Sequence, residues 1–186
     1  EVVTVTDGQG RWRSCQFRRS GPSLLVAGDI VTSKSSGSAF GVAVSVPKGD
    51  RIDWVVQKLT ELGVSRVVLL RSDRSVVSWD TDQTQRHLRR LREIVRAAAM
   101  QSRRLELPAI EAMSTVEELL LQPDVAVATF TGAPLHGEHR VNTVAVGPEG
   151  GWSPREMALF VSGDHQTVGL GATVLRTDTA AVAAAV

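Results

Sequence analysis

A glycine-rich stretch at residues 144–156, VAVGPEGGWSPRE, has the clearest potential for ligand chemistry. Gly147, Gly150 and Gly151 stand between an apolar run and the Ser-Pro-Arg-Glu start of a predicted helix. Glycine lets a ligand press against bare backbone, and in an open α/β sheet ligands bind at the carboxyl ends of the strands. A plain tight turn explains the Gly-Gly pair as well, so the stretch predicts a strand-to-helix turn and leaves its use open.

The same stretch excludes two familiar nucleotide sites. Its Gly-Pro-Glu-Gly-Gly order lacks the G-x-G-x-x-G spacing that holds a dinucleotide and the Gly-Lys-Ser/Thr ending of a phosphate-binding loop. Glu149 would also repel a pyrophosphate, whereas it is compatible with a cationic or zwitterionic ligand. Neither NAD nor ATP is therefore implied.

A second unusual segment, VGLGATVLRTDTAAVAAAV, occupies residues 168–186. Gly171 interrupts a short strand run, and Thr177 or Thr179 is placed to cap an alanine-rich helix. Arg176 lies between the apolar run and that helix start, a position from which its guanidinium can face a site. If this segment stood alone, an ordinary surface position would be the better explanation of Arg176.

Arginine is concentrated in residues 86–104, RHLRRLREIVRAAAMQSRR, although the net charge of the chain is only +1. The segment contains seven arginines and a single acidic residue, Glu93. Concentrated arginine suits an anionic polymer. A solvated helix face would produce the same run of charge, so both interpretations stay open on composition alone.

Metal, redox and membrane chemistry are not indicated. Cys15 is the one cysteine, which excludes an internal disulfide and a multi-cysteine zinc site. Among four histidines, His136 and His139 lie in a predicted loop without a further ligand, so we expect no zinc. No run approaches the roughly 18 apolar residues of a membrane span and no signal-peptide pattern is present, so we expect a cytoplasmic protein.

The elements that must position these residues change character near residue 46. Residues 1–46 contain short β-like runs separated by Gly, Ser and Asp, which predicts a small β domain. Residues 47–186 alternate helix and strand patterns, and the runs DVAVATF and VNTVAV are typical of buried parallel strands. We therefore expect an α/β domain over residues 47–186.

Helix signals place several candidate residues. The run WVVQKLTELG predicts a helix ended by Gly63, and residues 83–103 predict a long helix with one apolar stripe. Arg89, Arg96 and Arg103 recur every seven residues on another stripe of that helix. Residues 114–117 and 153–156 match capping boxes that open two further helices.

Several ordered motifs resemble one known family. VGPEGGWSPREM at residues 146–157 and LGATVLRTDTAA at residues 170–181 look like the paired signature of the RsmE-type ribosomal RNA methyltransferases. KGDRIDWVVQKLTELGV, RSDRSVV and AAAMQSRRLELPAI, which begin at residues 48, 71 and 97, are similar to further motifs of that family. The resemblance covers residues 48–186 and implies methylation of uridine N3 in 16S ribosomal RNA.

The resemblance also implies an architecture. Members of the SPOUT superfamily have an α/β domain closed by a trefoil knot. The β-rich residues 1–46 resemble the family's PUA-like RNA-binding β-barrel, and the first residues of that barrel in other members have no counterpart in this sequence. The alanines of the last helix suit a helix threaded through a tight loop, although a generic alanine-rich helix fits equally well. The family implies a homodimer whose active site can draw on both chains, with 16S rRNA or the assembled small ribosomal subunit as partner.

The implied cofactor is S-adenosylmethionine. By family analogy it would contact residues of three segments: Phe130, Thr131, Gly147, Pro148, Glu149, Gly150, Gly151, Leu170, Gly171, Leu175, Arg176 and Thr177. Trp152, beside the glycine-rich stretch, is expected to border the same site.

Transfer of a methyl group to uracil N3 requires loss of the N3 proton, in-line approach and stabilisation of charge on the uracil oxygens. Arginine stays protonated, so it is a poor base but a good partner for an oxyanion or a phosphate. We therefore expect catalytic contacts from Arg103 and Arg176, with Glu149 as a proton acceptor or cofactor contact. The residues expected to bind RNA are Arg74, Arg89, Arg96, Gln101, Arg103 and Arg104.

Two alternatives stay open. A sibling SPOUT enzyme acting on another RNA, such as tRNA, would have nearly the same site. A non-catalytic RNA-binding module of ribosome assembly would bind RNA but no cofactor, and the two intact cofactor segments argue against it.

Overall fold

The computed structural model describes residues 1–18, 23–33, 40–135 and 141–186. The described strands are β1 (Val2–Thr6), β2 (Arg11–Arg18), β3 (Ser23–Val26), β4 (Val31–Thr32), β5 (Gly41–Ser45), β6 (Arg66–Arg71), β7 (Ala109–Thr115), β8 (Val125–Pro134), β9 (Thr143–Val146) and β10 (Thr167–Gly169). The described helices are α1 (Arg51–Glu61), α2 (Thr81–Ser102), α3 (Val116–Leu120), α4 (Pro154–Ser162) and α5 (Thr177–Ala183).

Six of these strands form a parallel sheet in the order β10-β8-β9-β5-β6-β7. Buried apolar side chains cover both of its faces. On one face Val44 joins a buried cluster with Leu59 of α1 and with side chains of α2 and α5. On the other face Ala43 packs with Leu119 of α3 and Phe160 of α4. The result is the three-layer α/β arrangement expected from continuous apolar strand runs.

Local signals account for the two long helices on the first face. Gly63 takes a left-handed φ of +91° just after the α1 C-cap, as expected for a glycine that ends a helix. α2 begins with a capping box in which the side chains of Asp80 and Gln83 each accept a hydrogen bond from the other residue's backbone N–H. Its apolar stripe, which includes Leu88 and Leu91, is buried.

A smaller antiparallel sheet contains β1 to β4, with β2 paired to each of the other three strands. Its loops dock on the segment between α2 and β7. The Thr6 hydroxyl donates to the Leu105 carbonyl at 2.8 Å, and the Gly10 N–H donates to the same carbonyl at 3.3 Å. The Leu107 N–H donates to the Gly8 carbonyl at 2.9 Å. The small sheet therefore lies at the edge of the large sheet where β7 begins.

Two expectations from the sequence need correction. The strand Gly41–Ser45, expected in the β domain of residues 1–46, lies in the middle of the large sheet, between β6 and β9. The capping box predicted at residues 114–117 is one residue later, because Thr115 is the N-cap of α3 and Glu118 is its partner. The start of the large α/β unit thus precedes residue 41.

Among the residues that the structure describes, no helix combines the length and apolarity needed to cross a bilayer.

Candidate functional site

A cavity of about 390 Å³ lies at the carboxyl ends of β8 and β9. Its walls come from residues 128–131 in the middle of β8, the glycine-rich stretch after β9, the segment after β10 and the first turn of α5. This volume falls within the ~300–1,000 Å³ range of small-molecule sites, and its position is where parallel α/β sheets bind ligands. The structure therefore places the two unusual sequence segments around one cavity.

Two glycines of the stretch have separate reasons to be glycine. A Cβ added at Gly147 would lie 2.9 Å from Cε2 of the Trp152 indole, so only a bare backbone leaves room for that ring. The indole is itself held by a hydrogen bond of 2.9 Å from its Nε1 to the Ala128 carbonyl of β8. Gly151 has a left-handed φ of +69°, and its N–H closes a turn onto the Pro148 carbonyl at 2.8 Å.

The first turn of α5 is joined to the glycine-rich stretch. Thr177 is buried, and its hydroxyl donates to the Gly147 carbonyl at 3.0 Å. The expectation that Thr177 or Thr179 caps this helix is wrong, because Arg176 occupies the N-cap and its side chain makes no capping bond. Thr177 instead fixes the two walls of the cavity against each other.

The chemistry of the lining fits a ligand that is largely apolar with a few polar atoms. Apolar walls come from residues such as Val146 and Leu170. Thr129 also lines the cavity, and among the described residues its buried Oγ1 has no hydrogen-bond partner. Glu149 adds an exposed carboxylate at the rim, which suits a cationic group on the ligand.

A polar network fastens the start of α4 to the loop that follows β6. Nη2 and Nε of Arg155 donate to the two oxygens of Asp73 at 2.6 and 3.0 Å, and Nη1 of Arg155 pairs with Glu117 of α3. The Ser153 hydroxyl also donates to Asp73, at 2.5 Å. The Arg155 guanidinium, followed by the Ser153 hydroxyl, lowers the pKa of Asp73 from 3.8 to about 2.

Glu156 completes this network from inside the protein. Its carboxylate is fully buried and accepts the backbone N–H groups of Ser153 at 2.7 Å and Asp73 at 2.9 Å. One of these bonds belongs to the predicted capping box of α4, which the structure confirms, and the other reaches across to the β6 loop. The loop and the helix start therefore form one connected unit, which we call the Asp73 clamp (Asp73, Glu117, Ser153, Arg155 and Glu156).

Arg74, next to the Asp73 clamp, contacts the glycine-rich stretch from outside the cavity. Its Nη1 donates to the Gly150 carbonyl at 2.9 Å. A Cβ added at Gly150 would lie 3.3 Å from Cβ of Arg74, and Gly150 does not line the cavity. Gly150 thus faces an arginine, whereas the sequence suggested that it faces the ligand.

Most residues predicted to hold the cofactor line the cavity, and the exceptions are Gly150 and Arg176. Trp152, expected at the border, also lines it. The lining residues absent from the predicted set are Ala128, Thr129, Val146, Met157, Thr173, Val174 and Ala180. Two of these residues could have been predicted from their neighbours in the sequence, because Thr129 directly precedes Phe130 and Ala180 lies one helical turn after Thr177.

The predicted RNA-binding residues separate into two groups. Arg89 and Gln101 are exposed on α2, and Arg96 is exposed beside its ion-pair partner Glu93. Arg104 differs, because its Nη1 donates to the carbonyls of Thr60 and Val64 at 2.8 and 3.0 Å. Burial also lowers its pKa. Arg104 is therefore held against the end of α1, and its expected contact with RNA stays a prediction.

Arg103 lies at the opposite edge of the large sheet from the cavity. α2 starts beyond the carboxyl end of β6 and returns for 22 residues, a length of about 33 Å. Arg103 is its C-cap, exposed in a left-handed conformation of φ +58°. The cavity opens at the carboxyl ends of β8 and β9, so the structure does not bring Arg103 to the cavity of its own chain.

Among the described residues, no group of three His, Cys, Asp or Glu side chains is arranged to hold a metal ion. His136 and His139 lie outside the described residues.

Comparison with known proteins gives consistent matches. A family model described as an RNA methyltransferase domain matches residues 35–186. Ribosomal RNA small subunit methyltransferase E of Mycobacterium bovis is 32% identical over 201 aligned residues, which cover 99% of this chain and 76% of that protein. The protein of the same name from Bacillus subtilis is 32% identical over 155 residues, or 75% of this chain and 60% of that protein.

A solved structure agrees with these relatives. The ribosomal RNA small subunit methyltransferase E of Neisseria gonorrhoeae, crystallised with S-adenosyl methionine, is similar with a TM-score of 0.80 and 28% identity. The similarity covers 100% of this chain and 81% of that one.

Proposed function

The chain belongs to the RNA methyltransferase family that includes ribosomal RNA small subunit methyltransferase E, and we propose from this that it methylates N3 of a uridine in 16S ribosomal RNA. The observation that carries the proposal is the cavity in which the glycine-rich stretch and the segment after β10 meet, joined by the Thr177–Gly147 hydrogen bond. S-adenosylmethionine is the methyl donor, and the relative from Neisseria gonorrhoeae was crystallised with it.

The cavity residues fit this cofactor. S-adenosylmethionine supplies a methyl group bound to a positively charged sulfur, and the rest of the molecule combines a flat base with a zwitterionic tail. Apolar side chains such as Leu170 and Leu175 would cover the base, and the unpartnered Thr129 hydroxyl would take one of its polar atoms. Glu149 at the rim would attract the cationic groups. Cofactor contact is not proposed for Gly150, since it lies outside the cavity.

Arg176 is the best placed catalytic arginine of one chain. It is exposed at the N-cap of α5, between the lining residues Leu175 and Thr177. A guanidinium beside the mouth of the cavity would stabilise negative charge on the uracil oxygens as N3 loses its proton. Glu149, which lines the same cavity, would accept that proton or hold the cofactor.

The catalytic role of Arg103 requires a second copy of the chain. Arg103 and the small sheet lie at the edge of the large sheet opposite the cavity, so RNA held there would be distant from the methyl donor of the same chain. In a homodimer, Arg103 of one copy would complete the cavity of the other. Exposed side chains of α2, including Arg89 and Arg96, would bind phosphates nearby and make RNA affinity fall with salt.

The proposal also includes the trefoil knot, the PUA-like domain and the place in the cell. α5 packs against α1 and β5, and its first turn is tied to the stretch after β9, as expected for a terminal helix threaded through a SPOUT trefoil knot. The small sheet, docked at residues 105–107, would be the PUA-like RNA-binding domain. An enzyme acting on ribosomal RNA would work in the cytoplasm, where ribosomes are assembled.

Cofactor binding followed by methyl transfer tests the proposal. Calorimetry should detect S-adenosylmethionine binding to the wild-type chain, and Gly147→Ala should weaken it roughly tenfold or more, about 1.4 kcal/mol, because the new Cβ displaces the Trp152 indole from the cavity wall. Gly28→Ala in the small sheet, where an added Cβ has ordinary contacts, is the matched control. Incubation with assembled small subunits should then produce 3-methyluridine in 16S rRNA.

Other outcomes would identify the alternatives. Methylation of tRNA but not of small subunits would replace the ribosomal substrate with another RNA. Failure of a folded wild-type protein to bind the cofactor would overturn the enzyme and leave an RNA-binding module.

A further inference from the structure

The glycine-rich stretch has little internal support for its shape. Residues 147–151 contain three glycines, which lose more conformational freedom on ordering than other residues. The inner side of the stretch is held by the Thr177 hydroxyl on the Gly147 carbonyl, and the turn is closed by the Gly151 N–H on the Pro148 carbonyl. Gly150 is exposed between these two points.

Arg74 supports the stretch at this exposed position. Its guanidinium donates to the Gly150 carbonyl at 2.9 Å, and its aliphatic stem runs beside the same residue. A Cβ at position 150 would lie an ordinary 3.6 Å from Cδ of Arg74 but only 3.3 Å from its Cβ, so the stem would have to shift by a few tenths of an ångström. Glycine at position 150 is therefore explained by contact with Arg74.

The backbone of Arg74 is itself fixed on both sides. The preceding residue, Asp73, is held by the buried carboxylate of Glu156 through its N–H and by the Arg155 guanidinium through its side chain. The following residue, Ser75, closes a turn with Ser72: its N–H donates to the Ser72 carbonyl at 3.0 Å and its hydroxyl accepts the Ser72 N–H at 2.9 Å. Arg74 thus projects from a rigid turn anchored to β6, α3 and α4.

We propose that Arg74 is a positioning residue for the cofactor, which holds the glycine-rich stretch in its binding shape through the Gly150 carbonyl and is held in turn by the Asp73 clamp. Arg74 does not line the cavity, so its effect passes through the stretch and requires no contact with the cofactor. A stretch ordered in advance loses less entropy when the ligand binds, which raises affinity. The inference rests on the proposed function, because it assigns a role at the same cofactor site.

This role differs from the phosphate contact that the sequence suggested for Arg74. A phosphate contact would change RNA affinity and its dependence on salt, with cofactor affinity unaffected. A positioning role changes the dissociation constant and the KM of S-adenosylmethionine, with the KM for RNA unaffected. The two roles are therefore separable by measuring each substrate.

The experiment compares Arg74→Ala, Arg74→Lys and Arg71→Ala in the full chain. Arg71 is an exposed arginine at the end of β6 whose charge acts on Glu118 of α3, so its variant matches the charge change of Arg74→Ala. Calorimetry with S-adenosylmethionine should show about fivefold weaker binding for Arg74→Ala, the effect of losing one hydrogen bond. Arg74→Lys should recover most of the affinity because a lysine can donate to the same carbonyl, and Arg71→Ala should bind like the wild type.

Gly150→Ala provides a second approach that leaves Arg74 in place. Its methyl group presses on the Arg74 stem and should weaken cofactor binding to a similar extent. Melting temperatures near that of the wild type would show that each variant is folded.

Wild-type affinity in both Arg74→Ala and Gly150→Ala would overturn the inference, and so would equal losses in Arg74→Ala and Arg71→Ala. Those outcomes leave the proposed function intact, because the wild-type protein still binds the cofactor. A wild-type protein that binds no S-adenosylmethionine would instead overturn the proposed function, and this inference with it.

Discussion

A few hydrogen bonds between the last residues of the glycine-rich stretch and the loop after β6 determine how firmly the cavity wall is held. Glu156 is fully buried and accepts two backbone N–H groups, one from α4 and one from the β6 loop. Asp73 accepts three donors from Arg155 and Ser153. Such charge-assisted bonds are stronger than neutral ones, and they connect segments about eighty residues apart in sequence. The local geometry of the site thus depends on carboxylates that do not touch the ligand.

The pH dependence of stability tests the Asp73 contacts. The pKa of Asp73 is lowered from 3.8 to about 2 in the folded protein, so its ionised form stabilises the fold fully above pH 3.8. This stabilisation is lost as the pH falls from 3.8 towards 2. We expect the free energy of unfolding, measured with urea across this interval, to fall more steeply for the wild type than for Asp73→Asn.

Asp82→Asn is the control for this measurement. Asp82 is exposed in the first turn of α2, so its replacement removes one surface carboxylate and leaves the Asp73 clamp intact. Parallel curves for the wild type and Asp73→Asn would show that the clamp does not stabilise the folded state through the charge of Asp73.

At the level of elements, the edge of the sheet near the cavity depends on two facing glycines. An added Cβ at Gly132 of β8 would lie 2.3 Å from the carbonyl carbon of Val168 in β10. An added Cβ at Gly169 of β10 would lie 2.6 Å from the carbonyl oxygen of Gly132. The backbones of β8 and β10 therefore approach so closely that neither position has room for a side chain. β10 leads directly into residues 170–175 of the cavity wall, so this contact sets the position of that wall.

Gly132→Ala should consequently destabilise the protein. Its methyl group would overlap the backbone of β10, which cannot move aside as a flexible side chain could, and such overpacking costs about 1–3 kcal/mol. Urea unfolding measures this loss, and Gly28→Ala, whose Cβ would be 3.7 Å from its nearest neighbour, should change stability by no more than about 0.5 kcal/mol. Equal stability of the two variants would contradict the close approach of β8 and β10.

Elements set by nearby residues were predictable from the sequence. The capping box of α4, the end of α1 at Gly63 and the amphipathic α2 are all confirmed, because each depends on residues within a few positions of one another. The glycine-rich stretch was also located correctly at the end of a strand. The boundary near residue 46 was not predictable, because the place of β5 in the large sheet is decided by pairing with β9 about a hundred residues later.

In the site, too, contacts between residues far apart in the sequence could not be predicted. The resemblance to a known family, carried by short ordered motifs, located most of the lining residues. It did not reveal that Gly150 faces Arg74 or that Arg104 ties down α1, since these contacts join residues 76 and 44 positions apart. It also could not place Arg103, because the distance from the cavity depends on the direction in which α2 crosses the sheet.

For the whole molecule, the cavity and the small sheet occupy opposite edges of the large sheet. The loops of the small sheet dock at residues 105–107, beside the end of α2, whereas the cavity opens at the carboxyl ends of β8 and β9. In one copy of the chain, the exposed arginines at the end of α2, including Arg103, therefore lie away from the cavity. In the proposed homodimer, the surface near Arg103 of one copy would lie against the cavity of the other.

A mixing experiment tests this arrangement. Arg103→Ala and Gly147→Ala should each lose most methyl transfer when assayed alone, because one lacks the arginine and the other has a distorted cavity. Randomly mixed dimers place an intact cavity beside an intact Arg103 at about a quarter of all sites, so mixing should restore about a quarter of wild-type activity.

Mixed Arg103→Ala and Arg103→Lys proteins serve as the control, since no combination of them has Arg103. Activity that stays at the level of the separate variants after mixing would show that Arg103 does not act on the cavity of another copy.

The position of β5 at the centre of the large sheet has a consequence for the chain as it is synthesised. β6 can pair with one side of β5 early, but β9 pairs with the other side only after about a hundred further residues have been made. At roughly 5–20 residues per second, this takes on the order of 5–20 s. During that time the apolar strand GVAVS has an open hydrogen-bonding edge, the kind of surface that aggregates or recruits chaperones. The strand at the centre of the folded sheet is thus an unpaired edge strand while the chain is being made.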